Sequence, residues 1–309
     1  MADIVIAEFM DESAVEDLRR DYDVVYDPGL VDRAEDLLAA VAGCRALVVR
    51  NRTQVRGALL DAAPRLEALG RLGVGLDNID MEACQARGIA VLPATGANDL
   101  AVAEYVIAGL LMLLRGAYHA SARVLAGEWP RTDLMGREVA GRRLGLIGFG
   151  AIGRSVASRA RALGMTVAAC DPYVSADDPA WAALSVEPRD FDAVVAESDA
   201  LSLHVPLTDE TRHLIDGKAL SRMRPGAVLI NAARGGVVDE DAVAGALRAG
   251  TLGGAMLDVF ENEPLAAGSA LDGVPNLILT PHIAGLSEDS HRRISAVTAA
   301  NVRRVLEGN

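Results

Sequence analysis

The stretch Leu144–Asp171, LGLIGFGAIGRSVASRARALGMTVAACD, constrains this chain more than any other. An apolar run, Leu144–Ile147, meets Gly148, Gly150 and Gly153 in G-x-G-x-x-G spacing; a helical segment and a second apolar run ending in Asp171 follow. Each part has a physical task. Gly148 permits the tight turn out of a strand, Gly150 lets backbone approach a pyrophosphate, and Gly153 allows close contact between helix and strand. The N-terminus of the helix presents free N–H groups and positive dipole to phosphates. Asp171, eighteen residues past Gly153, stands where a carboxylate accepts the ribose hydroxyls of NAD and repels a 2′-phosphate. No Arg follows it in Asp171-Pro172-Tyr173, so the sequence predicts NAD rather than NADP.

Short apolar runs alternate with helical patterns along nearly the whole chain, as in parallel sheets covered on both faces. One set of strands is predicted at Ile4–Ile6, Val24–Tyr26, Ala46–Val49, Leu66–Leu69 and Ile89–Leu92. Between them lie the helices Asp11–Arg20, Val31–Val41 and Val55–Ala62. A second set is predicted at Leu144–Ile147, Thr166–Ala169, Ala200–Leu203, Ala227–Ile230, Ala255–Val259 and Leu277–Leu279. The two sets are joined by one helical stretch, about Asp99–Gly127, whose apolar residues cover more than one face. That pattern predicts a crossover and a subunit contact. The last helix, about Glu288–Glu307, is predicted to fold back onto the first set. The expected fold class is α/β with two doubly wound parallel sheets.

At 309 residues the chain is long enough for two domains. Its net charge is −13, with the basic residues scattered, which argues against nucleic acid and against anionic membranes as partners. Cys44, Cys84 and Cys170 are odd in number, far apart and without metal-ligand spacing; they read as reduced thiols of a cytoplasmic protein, and no metal is expected. The opening MADIVIAEFMDE has early acids and a short apolar run, so no signal peptide is expected. Ala101–Leu114 is apolar but too short to span a bilayer.

Ligands of open α/β sheets bind at the carboxyl ends of strands. Past three consecutive strands of the second set stand Arg234 in Asn231-Ala232-Ala233-Arg234-Gly235-Gly236, Glu263 before Pro264, and His282 in Thr280-Pro281-His282. A guanidinium grips a carboxylate bidentately, and an imidazolium donates a proton to a carbonyl oxygen as hydride arrives. An anionic neighbour keeps the imidazole oriented. Together the three predict catalytic residues for hydride transfer to a 2-keto acid. His119, His213 and His291 read as structural histidines. His204, ending a strand beside Val205-Pro206, is placed on the cofactor side.

At these residues the chain resembles the D-isomer-specific 2-hydroxyacid dehydrogenases, most closely the 3-phosphoglycerate dehydrogenase-like members. The resemblance spans essentially the whole chain. It is carried by VRNRT (Val49–Thr53), GRLGVGLDNID (Gly70–Asp80), GFGAIGR, HVPLT, NAARGGVVDE, LDVFENEP and TPHIAG. It implies that Arg234 takes the substrate carboxylate, that His282 is the acid/base, and that Glu263 is its partner. Ala151, Ile152, Asp171, Val205, Ala232, Arg234, Asp258, His282 and the backbone to Gly285 fall on cofactor contacts. Val74 and Gly75 join the substrate-binding residues. The implied architecture is a Rossmann nucleotide domain (98–283) inserted in a flavodoxin-like substrate domain (1–97 and 284–309), in a homodimer. The chain stops at Asn309, before the regulatory domain of long phosphoglycerate dehydrogenases, so feedback by serine through such a domain is not expected.

Arg50-Asn51-Arg52 follow the strand Ala46–Val49, and Arg71 follows the next. In so acidic a chain these arginines predict a site for a second anion on the substrate, a phosphate or a sulfonate. VRNRTQVRGALL and GRLGVGLDNID also resemble the (S)-sulfolactate dehydrogenase branch, which ranks 3-sulfolactate slightly above 3-phosphoglycerate. Other 2-keto acids such as glyoxylate or hydroxypyruvate stay open. So does a non-enzymatic alternative, an NAD-sensing corepressor-like protein, although no basic surface stretch supports it. Formate dehydrogenase relatives pair their histidine with glutamine, whereas Glu263 is an acid.

Overall fold

Alternate residues of the first strands pack into opposite cores. In a computed structural model, which describes residues 2–308, Val5, Leu47 and Val49 enter one apolar cluster, while Ile4, Ile6, Ala46 and Val48 enter another. A strand buried on both faces needs apolar residues at every position. Burying such a side chain stabilises by roughly 1.5–3 kcal/mol. The five strands are β1 (Ile4–Ile6), β2 (Val24–Tyr26), β3 (Ala46–Val49), β4 (Ala68–Arg71) and β5 (Ala90–Pro93). They pair in parallel in the order β2-β1-β3-β4-β5, so the topological switch lies between β1 and β3.

The second sheet comprises β6 (Arg143–Ile147), β7 (Thr166–Cys170), β8 (Val186–Pro188), β9 (Ala200–Leu203), β10 (Val228–Asn231), β11 (Gly254–Leu257) and β12 (Leu277–Leu279). All pair in parallel, in the order β12-β11-β10-β9-β6-β7-β8. Here the order reverses beside β6, and the glycine-rich turn leaves that strand. β8 was not read from the sequence, because three residues at a sheet edge ending in proline carry no periodic signal.

The chain divides into two units, Met1–Asn98 with Leu286–Asn309, and Asp99–Gly285. The divisions lie one residue beyond 97/98 and two beyond 283/284, for a local reason. Ala284 packs into the core of the second unit, and its N–H is held by Asp258 of the same unit.

The predicted helix 99–127 is two helices, Asp99–Arg115 and Ser121–Leu125. Gly116 breaks it, at φ 64°, with its N–H closing on the Met112 carbonyl at 2.9 Å. A left-handed residue at this position terminates an α-helix, and glycine takes it without steric cost. Within the second unit the longer helix buries Val102, Val106, Leu110 and Leu114. The last helix, Glu288–Leu306, starts at a capping box of Ser287 and Ser290. It packs Ile294, Ala299, Val302 and Leu306 against the first sheet, as its apolar periodicity predicts. No helix among the described residues is long and apolar enough to cross a membrane.

Candidate active site

Three loops leave neighbouring strands at the carboxyl edge of the second sheet. Past β10, the buried Asn231 shapes the turn. Its Nδ2 donates to the Arg234 carbonyl (2.9 Å), and its Oδ1 accepts from the Ala233 N–H (3.1 Å). Arg234 in turn donates from Nη1 to the Ala233 carbonyl at 2.7 Å.

Past β12, His282 adopts φ 55°, a left-handed conformation that histidine tolerates better than most side chains. Two backbone bonds hold it there, from its N–H to the carbonyls of Asp258 (2.8 Å) and Thr280 (3.1 Å). The Asp258 carboxylate, in a residue 1% exposed, organises the rest of the loop. It accepts from the Thr280 hydroxyl (2.6 Å), the Ile283 N–H (2.9 Å) and the Ala284 N–H (2.8 Å). Since Thr280 gives its proton to Asp258, the Tyr105 hydroxyl at 2.5 Å is its donor. Burial pushes the Tyr105 phenol up to about 12, so it remains a donor throughout the neutral range. Asp258 thereby fixes the turn that carries His282.

Glu263, past β11, reaches the same histidine. Its Oε2 lies 2.8 Å from His282 Nδ1, while Oε1 accepts from the Phe260 N–H at 3.1 Å. Burial works to raise the Glu263 carboxyl. The hydrogen bond and charge of His282, the Phe260 N–H and the Arg234 charge outweigh burial and hold it below the usual carboxylate range. An ionised carboxylate only accepts, so Nδ1 carries a proton and Nε2 is the nitrogen able to give or take one. Among the described residues no cluster of three or more His, Cys, Asp or Glu is arranged to hold a metal.

Across the switch point, the glycine-rich turn has the shape a dinucleotide needs. Gly148 has φ 98°, and a Cβ there would stand 2.3 Å from the His204 carbonyl oxygen. A Cβ on Gly153 would meet the Gly148 oxygen at 2.5 Å, whereas one on Gly150 meets nothing within 4 Å. Gly150 begins the helix Ala151–Ala162 with no side-chain cap and no acid in its first turn. The N–H groups around Ala151 and Ile152 therefore face an open side, where a pyrophosphate fits. Asp171 directly follows β7 and fastens the turn, accepting from the N–H groups of Phe149 (2.7 Å) and Tyr173 (3.0 Å). His204, ahead of Val205 and Pro206, lies with Nε2 3.0 Å from Ser202 Oγ, and burial pushes it down to about 4, so it is neutral.

The model of the D-isomer specific 2-hydroxyacid dehydrogenase NAD binding domain matches residues 107–284. The (S)-sulfolactate dehydrogenase of Chromohalobacter salexigens is 59% identical over 306 residues, which cover 99% of each chain. This chain belongs to the D-isomer-specific 2-hydroxyacid dehydrogenases. A D-3-phosphoglycerate dehydrogenase of Archaeoglobus fulgidus is 37% identical across 99% of this chain, which spans 57% of that relative's length. The solved D-lactate dehydrogenase of Aquifex aeolicus, complexed with NAD and lactic acid, superposes with a TM-score of 0.84 at 28% identity, covering 99% of this chain and 96% of that one.

The dehydrogenase is an NAD-dependent oxidoreductase interconverting 2-hydroxy and 2-keto acids, on a fold of two parallel-sheet α/β domains. Its first unit carries the other expected substrate residues, and there the structure separates the two arginines. Arg52 is 59% exposed and forms an ion pair with Asp32. Arg50 is half-buried and has no carboxylate at ion-pair distance among the described residues. Asn51 is exposed beside them. Glu8, which sequence reasoning missed, sets this loop. Its buried carboxylate accepts from the N–H groups of Arg50 (2.8 Å), Thr53 (3.0 Å) and Arg52 (3.3 Å). An acid directly after the apolar run of β1 was the available signal. Arg71 donates to the carbonyls of Gly75 (2.7 Å) and Leu72 (2.8 Å) and shapes the loop bearing the exposed Val74.

Proposed function

We propose that this enzyme oxidises (S)-3-sulfolactate to 3-sulfopyruvate, with Arg234, Glu263 and His282 as its catalytic residues. The observation that carries the substrate is Arg50, a guanidinium at the switch point of the first sheet that no carboxylate meets at ion-pair distance among the described residues, the Glu8 charge reaching it only from farther away. The 59% identity to a sulfolactate dehydrogenase supports the same choice. Stereochemistry agrees, because sulfur outranks the carboxyl group in the priority rules. The (S) label therefore describes the arrangement of a D-2-hydroxy acid.

Arg234 grips the substrate carboxylate bidentately. Bound NAD would supply the acceptor for the hydride leaving C2 in the oxidative direction. His282 Nε2 takes the hydroxyl proton, and Glu263 balances the imidazolium that forms. In reduction the same nitrogen returns the proton to the carbonyl oxygen. Asp171 would hold the adenosine ribose, and Ala151, Ile152, His204, Val205, Pro206, Ala232 and Gly285 would line the bound cofactor. A homodimer is part of the same proposal, supported by exposed apolar side chains at Leu125, Trp129 and Met135.

The substrate is tested by comparing kcat/KM with NAD for (S)-3-sulfolactate, D-3-phosphoglycerate, D-lactate and D-glycerate. Sulfolactate is expected to exceed lactate by at least about tenfold, the equivalent of one charge-assisted contact. Equal values for lactate and sulfolactate overturn the second anion, and a preference for phosphoglycerate reassigns it.

Glu263→Gln tests the pairing. The lowered carboxyl stays ionised above the acid range, so its charge accompanies the imidazolium wherever the enzyme is assayed. Removing that charge destabilises the protonated ring. The alkaline fall-off of keto-acid reduction is therefore expected at lower pH in the variant. A profile coincident with that of wild type removes Glu263 from the mechanism.

A further inference from the structure

His291, which reads in the sequence as an ordinary structural histidine, belongs to the last helix yet meets Arg50 of the β3 loop. Arg50 Nη2 lies 3.0 Å from His291 Nδ1. A guanidinium only donates, so Nδ1 is an acceptor, the ring is neutral and its proton sits on Nε2. The Phe9 ring, from the loop after β1, stacks on this imidazole with centroids 4.3 Å apart and planes 4° from parallel. The Arg50 guanidinium lies 5.8 Å from the same ring's centroid, within cation–π range. Phe9 is 55% exposed and His291 only 8%, so the phenyl ring covers the histidine.

Three buried polar atoms here have no hydrogen-bond partner: Arg50 Nε, His291 Nε2 and Thr53 Oγ1. Two are obligate donors in these protonation states and the third is able to donate. Buried donors without acceptors are costly, so they point to an acceptor that arrives with a ligand. Glu8 does not fill that role: its carboxylate accepts from three backbone N–H groups and makes no hydrogen bond to the Arg50 side chain, on which its charge acts only from farther away. The cluster stands at the β1/β3 switch point, where ligands of this sheet order bind.

We infer that His291 and Phe9 position the Arg50 guanidinium for the oxyanion on C3 of the substrate, making His291 a specificity-determining residue. The inference rests on the second-anion reading above and adds the device that creates it. The neutral imidazole holds one edge of the guanidinium, and the stacked phenyl ring limits its swing. The fork therefore reaches a sulfonate or phosphate pre-oriented, with less side-chain freedom to lose on binding.

The experiment is the ratio of kcat/KM for 3-sulfolactate to that for D-lactate, in wild type, His291→Ala and His291→Gln, with 3-phosphoglycerate as a parallel arm. His291→Ala is expected to lower the ratio about tenfold, mainly through the KM of the sulfonate. Gln restores an acceptor oxygen for Arg50 and should return the ratio to within about threefold of wild type. If phosphoglycerate shows the larger loss, the oxyanion is phosphate, with His291 in the same role. A wild-type ratio near one overturns the second-anion reading and this inference with it. A high wild-type ratio that survives His291→Ala, or that Gln fails to restore, overturns the role of His291 alone.

Discussion

Replacing His282 by alanine is expected to lower kcat by about 10²–10⁴-fold, the range for loss of a positioned acid or base. Affinity for NADH, followed by fluorescence titration, should change little. The prediction follows from how narrowly the structure commits this ring. Nδ1 is held by Glu263 at 2.8 Å, and the backbone is locked at φ 55° by the Asp258 carbonyl. His204, the other histidine read on the cofactor side, is neutral and lies against Ser202 instead. Alanine is strained at a positive φ, so His282→Asn serves as the control, because asparagine accepts that conformation. The same loss in both variants assigns it to the missing imidazole. Near-normal turnover in His282→Asn removes the residue from the chemistry.

Arg50→Ala should cut kcat/KM for sulfolactate by about 10–150-fold. A partly desolvated contact between arginine and an oxyanion is worth roughly 1.5–3 kcal/mol, at about 1.4 kcal/mol per tenfold. Arg52→Ala should stay within about threefold of wild type, because its exposed ion pair with Asp32 lies in screening solvent. Lactate and glycerate, which lack the second anion, should respond far less to Arg50→Ala than sulfolactate does. The sequence treats the two arginines alike, flanking Asn51 after one strand. The structure predicts unequal effects because one side chain is half-buried beside a histidine and the other is paired in solvent. Equal losses for both arginines, or across all four acids, would show that they support the loop rather than an anion.

Where the determining interaction is local, residue types were sufficient. The two parallel sheets were legible because a strand buried on both faces must be apolar throughout, and because helices between parallel strands carry a different period. The glycine-rich turn was legible because a positive φ at Gly148 and a close approach at Gly153 exclude side chains. Arg234, Glu263 and His282 were legible as a set because each follows a strand of one sheet, and parallel strands bring all their carboxyl ends to one edge. β8 escaped because three edge residues generate no period.

The partnerships were decided only by tertiary structure. Glu263 and His282 stand nineteen residues apart in sequence, and Arg50 and His291 stand 241 apart. No local pattern reports such a contact. That Asp258 holds the Thr280 hydroxyl and two backbone N–H groups of the His282 loop is likewise visible only in the folded chain. Periodicity records which face of an element is covered, and glycine records where the backbone must bend. Which polar group meets which is set by the packing of distant elements, through the requirement that buried polar atoms find partners.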